Sequence, residues 1–409
     1  MITTREALER VLGSVTRLPS KWVPLGDALG LAAAADVLAG EPVPPFANSA
    51  MDGFAVRAED VAGASEETPA RLRVLADLPA GQVSSRAVDR GAAVRIMTGA
   101  PIPEGADAVV QVEHTSAAGE WIDVRRRVKP GANIRLAGED IPSGGRVVEA
   151  GSTLRPAEIG VLAATGHADV EAVSRARVAV ITTGDELVDV RERPGPGQIR
   201  DSNTHAVRAQ VLSFGAIAIP FPRVPDRRAA VEQALAKSVA GADAIVTTGG
   251  ISVGDYDFVK EVLEDLGAEQ VFWRVAQKPG GPFGFYLLGG KPVFGVPGNP
   301  VAAMVATEEY VRPAIRKMMG YSKLFRPERE AVLDHAWSRS RPDGKLHFLR
   351  VLASERDGVL HATPSGPQGS GILSSMTRAN ALALLPEDTL SVPAGGRVLL
   401  HLTEEPEDR

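Results

Sequence analysis

The 409-residue chain contains no cysteine. That single absence excludes disulfides, thiolate nucleophiles, iron–sulfur ligation and cysteine-held zinc, so any sulfur chemistry has to come from a ligand. Histidine is scarce as well: His114, His167, His205, His335, His347, His361 and His401 are scattered, with no i,i+4 or H-x-H pair that would suggest a metal site. No stretch approaches the roughly 18 uninterrupted apolar residues of a membrane span, and the charged start Met1-Ile2-Thr3-Thr4-Arg5-Glu6 lacks the apolar core of a signal peptide. The expectation is a cytoplasmic protein with no membrane partner. A net charge of −6 offers no broad basic surface for counterion release, so nucleic acid is not an expected partner either. Neither a Walker A sequence nor GxGxxG occurs, which argues against a P-loop nucleotidase and a dinucleotide enzyme.

What is present is a folded composition, 44% hydrophobic and 23% charged, spread over a chain too long for one ordinary core. The first ~45 residues read as two helices, one capped by Thr4 and a second over Leu25 to Leu38, before Glu41-Pro42-Val43-Pro44-Pro45 forbids helix. Short strands then alternate with turns, as in Ala93-Val94-Arg95-Ile96-Met97 and Ala108-Val109-Val110-Gln111-Val112. A helix opening at Pro156 and ended by Gly166 is expected to pack back on the N-terminal helices. From Arg177 a strand–helix alternation of the parallel type follows, closed by a long helix from Pro300 to about Met319, and the last ~85 residues return to short strands. The expected fold is multidomain α/β and β. It comprises a helical linker domain (1–45 with 146–174), a small β domain (46–145), a doubly wound α/β domain (175–324) and a C-terminal β-barrel (325–409).

In an open α/β sheet ligands sit beyond the carboxyl ends of the strands, and three such ends here carry unusual polar sequences. They are Thr182-Thr183-Gly184-Asp185-Glu186, the run from Thr247 through Gly249, Gly250, Ser252, Gly254 and Asp255 to Asp257, and Pro297-Gly298-Asn299-Pro300. Glycines allow close backbone approach and hydroxyls add donors, which suits an anion. Carboxylates accompany the loops at Asp185, Glu186, Asp226, Asp255 and Asp257, and bare acids beside a phosphate need a bridging cation. A Mg²⁺–phosphate site follows, with Arg274 and Lys278 on the next strand as cationic partners. The competing readings are a helix cap for Asp226, a solvated turn for Asp185 and Glu186, and plain surface charge for the two bases. Asn299 before Pro300 reads as a helix start. In the β domain, Asp52 beside Gly53, Thr98 at a strand end, and Arg135 with Asp140 form a second polar group, each member of which taken alone reads as structural.

Taken together these motifs resemble the molybdopterin molybdenumtransferases, the MoeA/gephyrin-E family, over nearly the whole chain. Phe46–Val56, Met97–Pro101, Arg135–Ile141, Thr183–Leu187, Thr247–Asp257, Lys278–Gly280, Pro297–Val301 and Gln368-Gly369-Ser370 occur in the family's order. The resemblance implies a homodimer with a composite active site, in which molybdate is inserted into adenylyl-molybdopterin with Mg²⁺ and AMP is released. It implies that Asp52, Thr98, Arg135 and Asp140 face Glu186, Asp226, Asp257, Arg274 and Lys278 across the subunit boundary. Arg350 and Ser370 would reach in from the barrel, and Asp226, Asp257 and Glu186 would be metal ligands. It also implies contact with the molybdopterin adenylyltransferase and with cofactor-accepting molybdoenzymes. The alternatives are the adenylyltransferase itself and a non-enzymatic gephyrin-like scaffold. The chain departs from the family pattern at Ala47, Phe54 and Gly281, the last replacing a second lysine.

Overall fold

The computed structural model describes residues 1–250 and 258–408. Six strands form the central sheet of the α/β region, in the order Ile217–Pro220, Arg177–Thr182, Ala244–Thr248, Lys291–Val296, Gly284–Leu288, Glu269–Trp273. The first four run parallel, and a hairpin reverses the chain into Gly284–Leu288. Parallel strands must be covered on both faces, and the alternation along Arg177–Thr182 meets this need. Val178 and Val180 pack on one side with Val207, Val211 and Ile315; Ala179 and Ile181 pack on the other with Val231, Leu235 and Val262. All polar strand ends therefore emerge at one edge of the sheet.

The N-terminal helix Thr4–Ser14 joins this core through Ala7 and Val11. Its cap is Thr3, one residue before the expected Thr4: the Thr3 Oγ1 accepts from the Glu6 N–H at 3.1 Å and the Glu6 carboxylate accepts from the Thr3 N–H at 2.9 Å. The second expected helix is corrected. Of 25–38 only Leu25–Asp27 is helical, as one 3₁₀ turn, and a turn at Leu29-Gly30 follows, with Gly30 at φ +77°. The alanine-rich stretch that follows is extended, because its backbone pairs with Ser152, Leu154, Glu171 and Val173 at 2.8–3.0 Å. Tertiary hydrogen bonds here override helix propensity, which is worth only tenths of a kcal/mol per residue, about 0.7 at most for ordinary residues. The helix Pro156–Ala164 packs on this extended segment rather than on a helical partner, through Leu162 with Val23, Leu31 and Ala33.

The β domain is a six-stranded sheet in which the strand Gly53–Val56 lies between Ala92–Ile96 and the edge strand Ala108–Gln111. Gly53 is required by close approach: a Cβ there would lie 2.0 Å from the Val110 carbonyl oxygen. At the C-terminal end, strands 346–356, 359–364, 328–333, 397–402 and 381–385 pair in sequence and the last closes on the first, forming a barrel around Leu333, Val351 and Leu400. The two-residue strand Gln277–Lys278 leaves the α/β region and pairs with Leu346–His347 at the barrel's edge. The expected long terminal helix is interrupted: Pro300–Ala306 and Arg312–Met318 flank a π turn at Thr307–Val311.

Candidate active site

A cavity of about 450 Å³ opens at the ligand edge of the α/β sheet. It gathers Thr183, Gly184 and Glu186 from the first loop, Gly249 and Gly250 from the second, Pro297 and Asn299 from the third, and Asp226 from the loop before Arg228–Gly241. The glycines have a steric cause. Gly249 and Gly250 have φ of +83° and +66°, and a Cβ would come within 2.8 Å of the Thr183 carbonyl oxygen at the first and 2.5 Å of Val259 Cγ2 at the second. Ser252, Gly254, Asp255 and Asp257, expected on the same loop, lie outside the described residues.

Hydroxyl and amide groups form the floor. Thr182 Oγ1 lies 2.6 Å from Thr204 Oγ1, Thr248 Oγ1 donates to Thr182 Oγ1 at 3.3 Å, and Asn203 Nδ2 donates to the Gly298 carbonyl at 2.7 Å. Thr183 Oγ1 and Asn203 Oδ1 are buried without a hydrogen-bond partner among the described residues. Unpaired buried polar atoms are costly, and a ligand that meets them recovers that cost.

The acids are held together rather than dispersed. Asp185 N–H donates to Asp226 Oδ2 at 3.2 Å, and Asp226 N–H donates to Asp185 Oδ1 at 3.1 Å. Asp226 is therefore not the helix cap it could have been, since the helix Arg228–Gly241 has no side-chain cap. Burial, and then the neighbouring charges of Asp185 and Glu186, hold the Asp226 carboxyl above the usual aspartate range against the hydrogen bond from Asp185. Negative charge in excess at one point favours a cation there. Glu186 and Asp226 fit Mg²⁺, which takes one or two carboxylates and completes its shell with phosphate oxygens and water. Among the described residues no group of three carboxylate or imidazole side chains could hold a metal unaided.

The expected cationic partners are elsewhere. Arg274 follows the edge strand Glu269–Trp273, three strand spacings or about 14 Å from the second loop, and its guanidinium lies 4.3 Å above the Trp273 ring. Lys278 faces a separate cavity of about 170 Å³ against the barrel, with Arg339, His347 and Arg350. Arg350 is only 1% exposed and has no acidic partner among the described residues: it donates to Ser375 Oγ at 3.1 Å and to the Gly369 carbonyl at 3.0 Å, and burial lowers its pKa to about 10. Burial, with Arg339 and Lys278 nearby, lowers the His347 pKa against the pull of Asp343. Ser370 meets the third loop through its backbone, its carbonyl accepting from the Val301 N–H at 3.2 Å. Asn299 stands at the N-cap with Pro300 in the first turn, but its side chain makes no capping bond.

The β-domain residues form a third group. Asp52 Oδ1 accepts from both the N–H and the Oγ1 of Thr98, each at 2.7 Å, and these bonds hold its carboxyl below the usual range. Arg135 pairs through its backbone with Asn48, Asp140 N–H donates to the Val43 carbonyl at 3.0 Å, and both residues are exposed. None of the four lines either cavity of this chain. Sequence reasoning also passed over Arg200, Asp201 and Asn203, which line the main pocket. Asp201 Oδ1 accepts from the Thr204 N–H at 3.0 Å, and a run of capping residue types, Asp201-Ser202-Asn203-Thr204, was the available signal.

Three family models match in order: the MoeA N-terminal region (domain I and II) over residues 2–166, a probable molybdopterin binding domain over 179–317, and the MoeA C-terminal region (domain IV) over 334–402. Molybdopterin molybdenumtransferase 2 of Mycobacterium tuberculosis is 40% identical over 380 residues, covering 91% of this chain and 92% of its own. The Bacillus subtilis molybdopterin molybdenumtransferase is 38% identical over 412 residues, covering 99% and 94%. The crystal structure of the molybdopterin biosynthesis moeA protein from Pyrococcus horikoshii superposes with a TM-score of 0.84 at 31% identity, over 98% of this chain and 100% of that one. Matched from end to end in sequence and in fold, the chain belongs to the molybdopterin molybdenumtransferase, or MoeA, family.

Proposed function

We propose that this protein inserts molybdate into adenylyl-molybdopterin, releasing AMP and molybdenum cofactor in a Mg²⁺-dependent reaction. The observation that carries the reading is the acid-lined pocket at the strand ends, within the segment that matches a molybdopterin-binding domain. Gly249 and Gly250 let the backbone approach the pterin phosphate, and the unpaired Thr183 and Asn203 oxygens meet its polar groups. Glu186 and Asp226, joined by Asp257, would hold Mg²⁺, which supplies Lewis-acid polarisation of the pyrophosphate bond. Lys278 and Arg350 bind the molybdate oxyanion in the smaller cavity. With no cysteine in the chain, the pterin's own dithiolene is the sulfur ligand of molybdenum.

Asp52, Thr98, Arg135 and Asp140 act from the β domain of a second copy. Two features support this: they line neither the strand-end pocket nor the barrel cavity, and Phe46, Met51 and Leu136 beside them are 46%, 42% and 63% exposed, an apolar margin suited to being covered. No helix among the described residues is long and apolar enough to cross a membrane. We place the enzyme in the cytoplasm, supplied by the adenylyltransferase and delivering to molybdoenzymes. The test incubates the protein with adenylyl-molybdopterin and follows AMP with and without molybdate and Mg²⁺. Absence of molybdate-dependent release removes the assignment. Mixing inactive Asp52→Ala and Glu186→Ala proteins should restore part of the activity once subunits exchange; no recovery after demonstrated exchange rules out the shared site.

A further inference from the structure

The strand-end pocket is lined by the acids Glu186, Asp201 and Asp226, yet the ligand proposed for it is phosphorylated. Asp201 is occupied by Thr204, its Oδ2 accepting from Thr204 Oγ1 at 2.5 Å, and Asp226 is engaged with Asp185. Among the described lining residues the one base is Arg200. Arg274 stacks on Trp273 at the far edge of the sheet, and Lys278 faces the other cavity. We infer that Arg200 is the residue that grips the ligand's phosphate groups in this pocket, an inference that rests on the proposed reading of a phosphorylated ligand.

The local structure suits that role. The two-residue strand Ile199–Arg200 pairs in parallel with Leu187–Val188, which ties Arg200 to the loop carrying Glu186. Its Nε donates to the Val190 carbonyl at 3.1 Å, which fixes the stem of the guanidinium. Among the described residues no ion pair engages its terminal nitrogens, and its side-chain hydrogen bond uses Nε. Directly after it, Asp201 and Asn203 are held by Thr204 and Gly298, so the base projects from an ordered segment. A guanidinium offers two parallel N–H groups to a phosphate, whereas an ammonium offers a point charge. Beside it, carboxylate-held Mg²⁺ and the guanidinium would neutralise different oxygens of one pyrophosphate.

The test titrates the full-length protein with inorganic pyrophosphate and Mg²⁺ by calorimetry, comparing wild type with Arg200→Ala, Arg200→Lys and, as a control for general charge, Arg193→Ala. Arg200→Ala should bind about tenfold or more weakly, as loss of a charge-assisted bond predicts. Arg200→Lys should recover part of that loss, and Arg193→Ala should stay within about twofold of wild type. With adenylyl-molybdopterin, Arg200→Ala should raise KM by a similar factor and leave kcat within about twofold. Equal binding by wild type and Arg200→Ala, no pyrophosphate binding by wild type, or a fall in kcat with unchanged KM would each overturn the inference. The titration needs no turnover. A wild type that binds pyrophosphate through Arg200 yet releases no AMP with molybdate counts against the proposed reaction alone.

Discussion

The pocket at the strand ends and the cavity against the barrel are charged in opposite senses. The first collects Glu186, Asp201 and Asp226 around Arg200, and burial, with the charges of Asp185 and Glu186, raises the Asp226 pKa. The second collects Lys278, Arg339, His347 and Arg350, and burial lowers the pKa of Arg350 and His347. In each, burial disfavours the charge on a lining side chain, and an opposite ion would relieve it. On the proposed function the difference is a division of labour, with one cavity for a divalent cation and its phosphates and the other for an oxyanion.

The most severe way to break that comparison is Asp226→Asn. Molybdate-dependent AMP release should fall by about 100-fold or more as the metal-binding charge is lost. The melting temperature should hold or rise, because a repelled carboxylate has been removed; a clear fall would mean that the acids stabilise the apo fold. The sign agrees with the pKa. A carboxyl raised in the folded state disfavours folding once ionised, and in wild type the acid limb of activity should lie above the ordinary aspartate range and move down as Mg²⁺ is raised.

On the cationic side, Arg350→Ala should raise the KM for molybdate while leaving Mg²⁺ dependence unchanged. It should also cost about 1–3 kcal/mol in denaturant unfolding, because the Gly369 carbonyl and Ser375 hydroxyl lose their donor. Arg350→Lys should restore most of the KM. Gly250→Ala sharpens the comparison sterically. An alanine at φ +66° costs about 1–2 kcal/mol, with the Val259 contact in addition, and should lower both Tm and pterin affinity without touching the barrel cavity.

The smallest effect is expected at the join between the two regions. Burial disfavours charge on His401, but Glu309 across the interface at 3.0 Å, with Glu328 beside it, outweighs burial and raises the imidazole pKa. The stability this contributes is complete below the unfolded value near 6.5 and is lost as pH rises through the folded pKa. His401→Gln should therefore lower Tm modestly at pH 6 and not at pH 9, as followed by thermal scans.

Much of this was legible in local sequence, and the exceptions have a common cause. Glycine-rich strand ends announce themselves because backbone sterics demand glycine, as at Gly249 and Gly250. Short apolar runs bounded by turn residues announce the strands, as at Arg177–Thr182 and Ala244–Thr248. The extended run after Leu25 did not, because its conformation is set by Ser152 and Glu171, more than a hundred residues away. Arg274 and Lys278 were expected together on one strand, but the positive φ of Arg274, +68°, turns the chain, and Lys278 joins a different sheet. Arg200 was missed because the capping run after it signals only a helix start; the pairing with Val188 brings it to the pocket.

The strand Gln277–Lys278 has a practical consequence for module exchange between relatives. It adds to the barrel's edge beside Leu346–His347, the Leu346 N–H donates to the Ala276 carbonyl at 3.0 Å, and the buried Gln277 amide bonds the Pro279 carbonyl. A chimaera cut in the 320s would graft a foreign barrel onto this native seam and mismatch the surface on which Lys278 stands. Grafts that carry residues 276–281 along with the barrel should fold and bind molybdate, whereas grafts that leave them behind should fold with the cationic cavity misaligned.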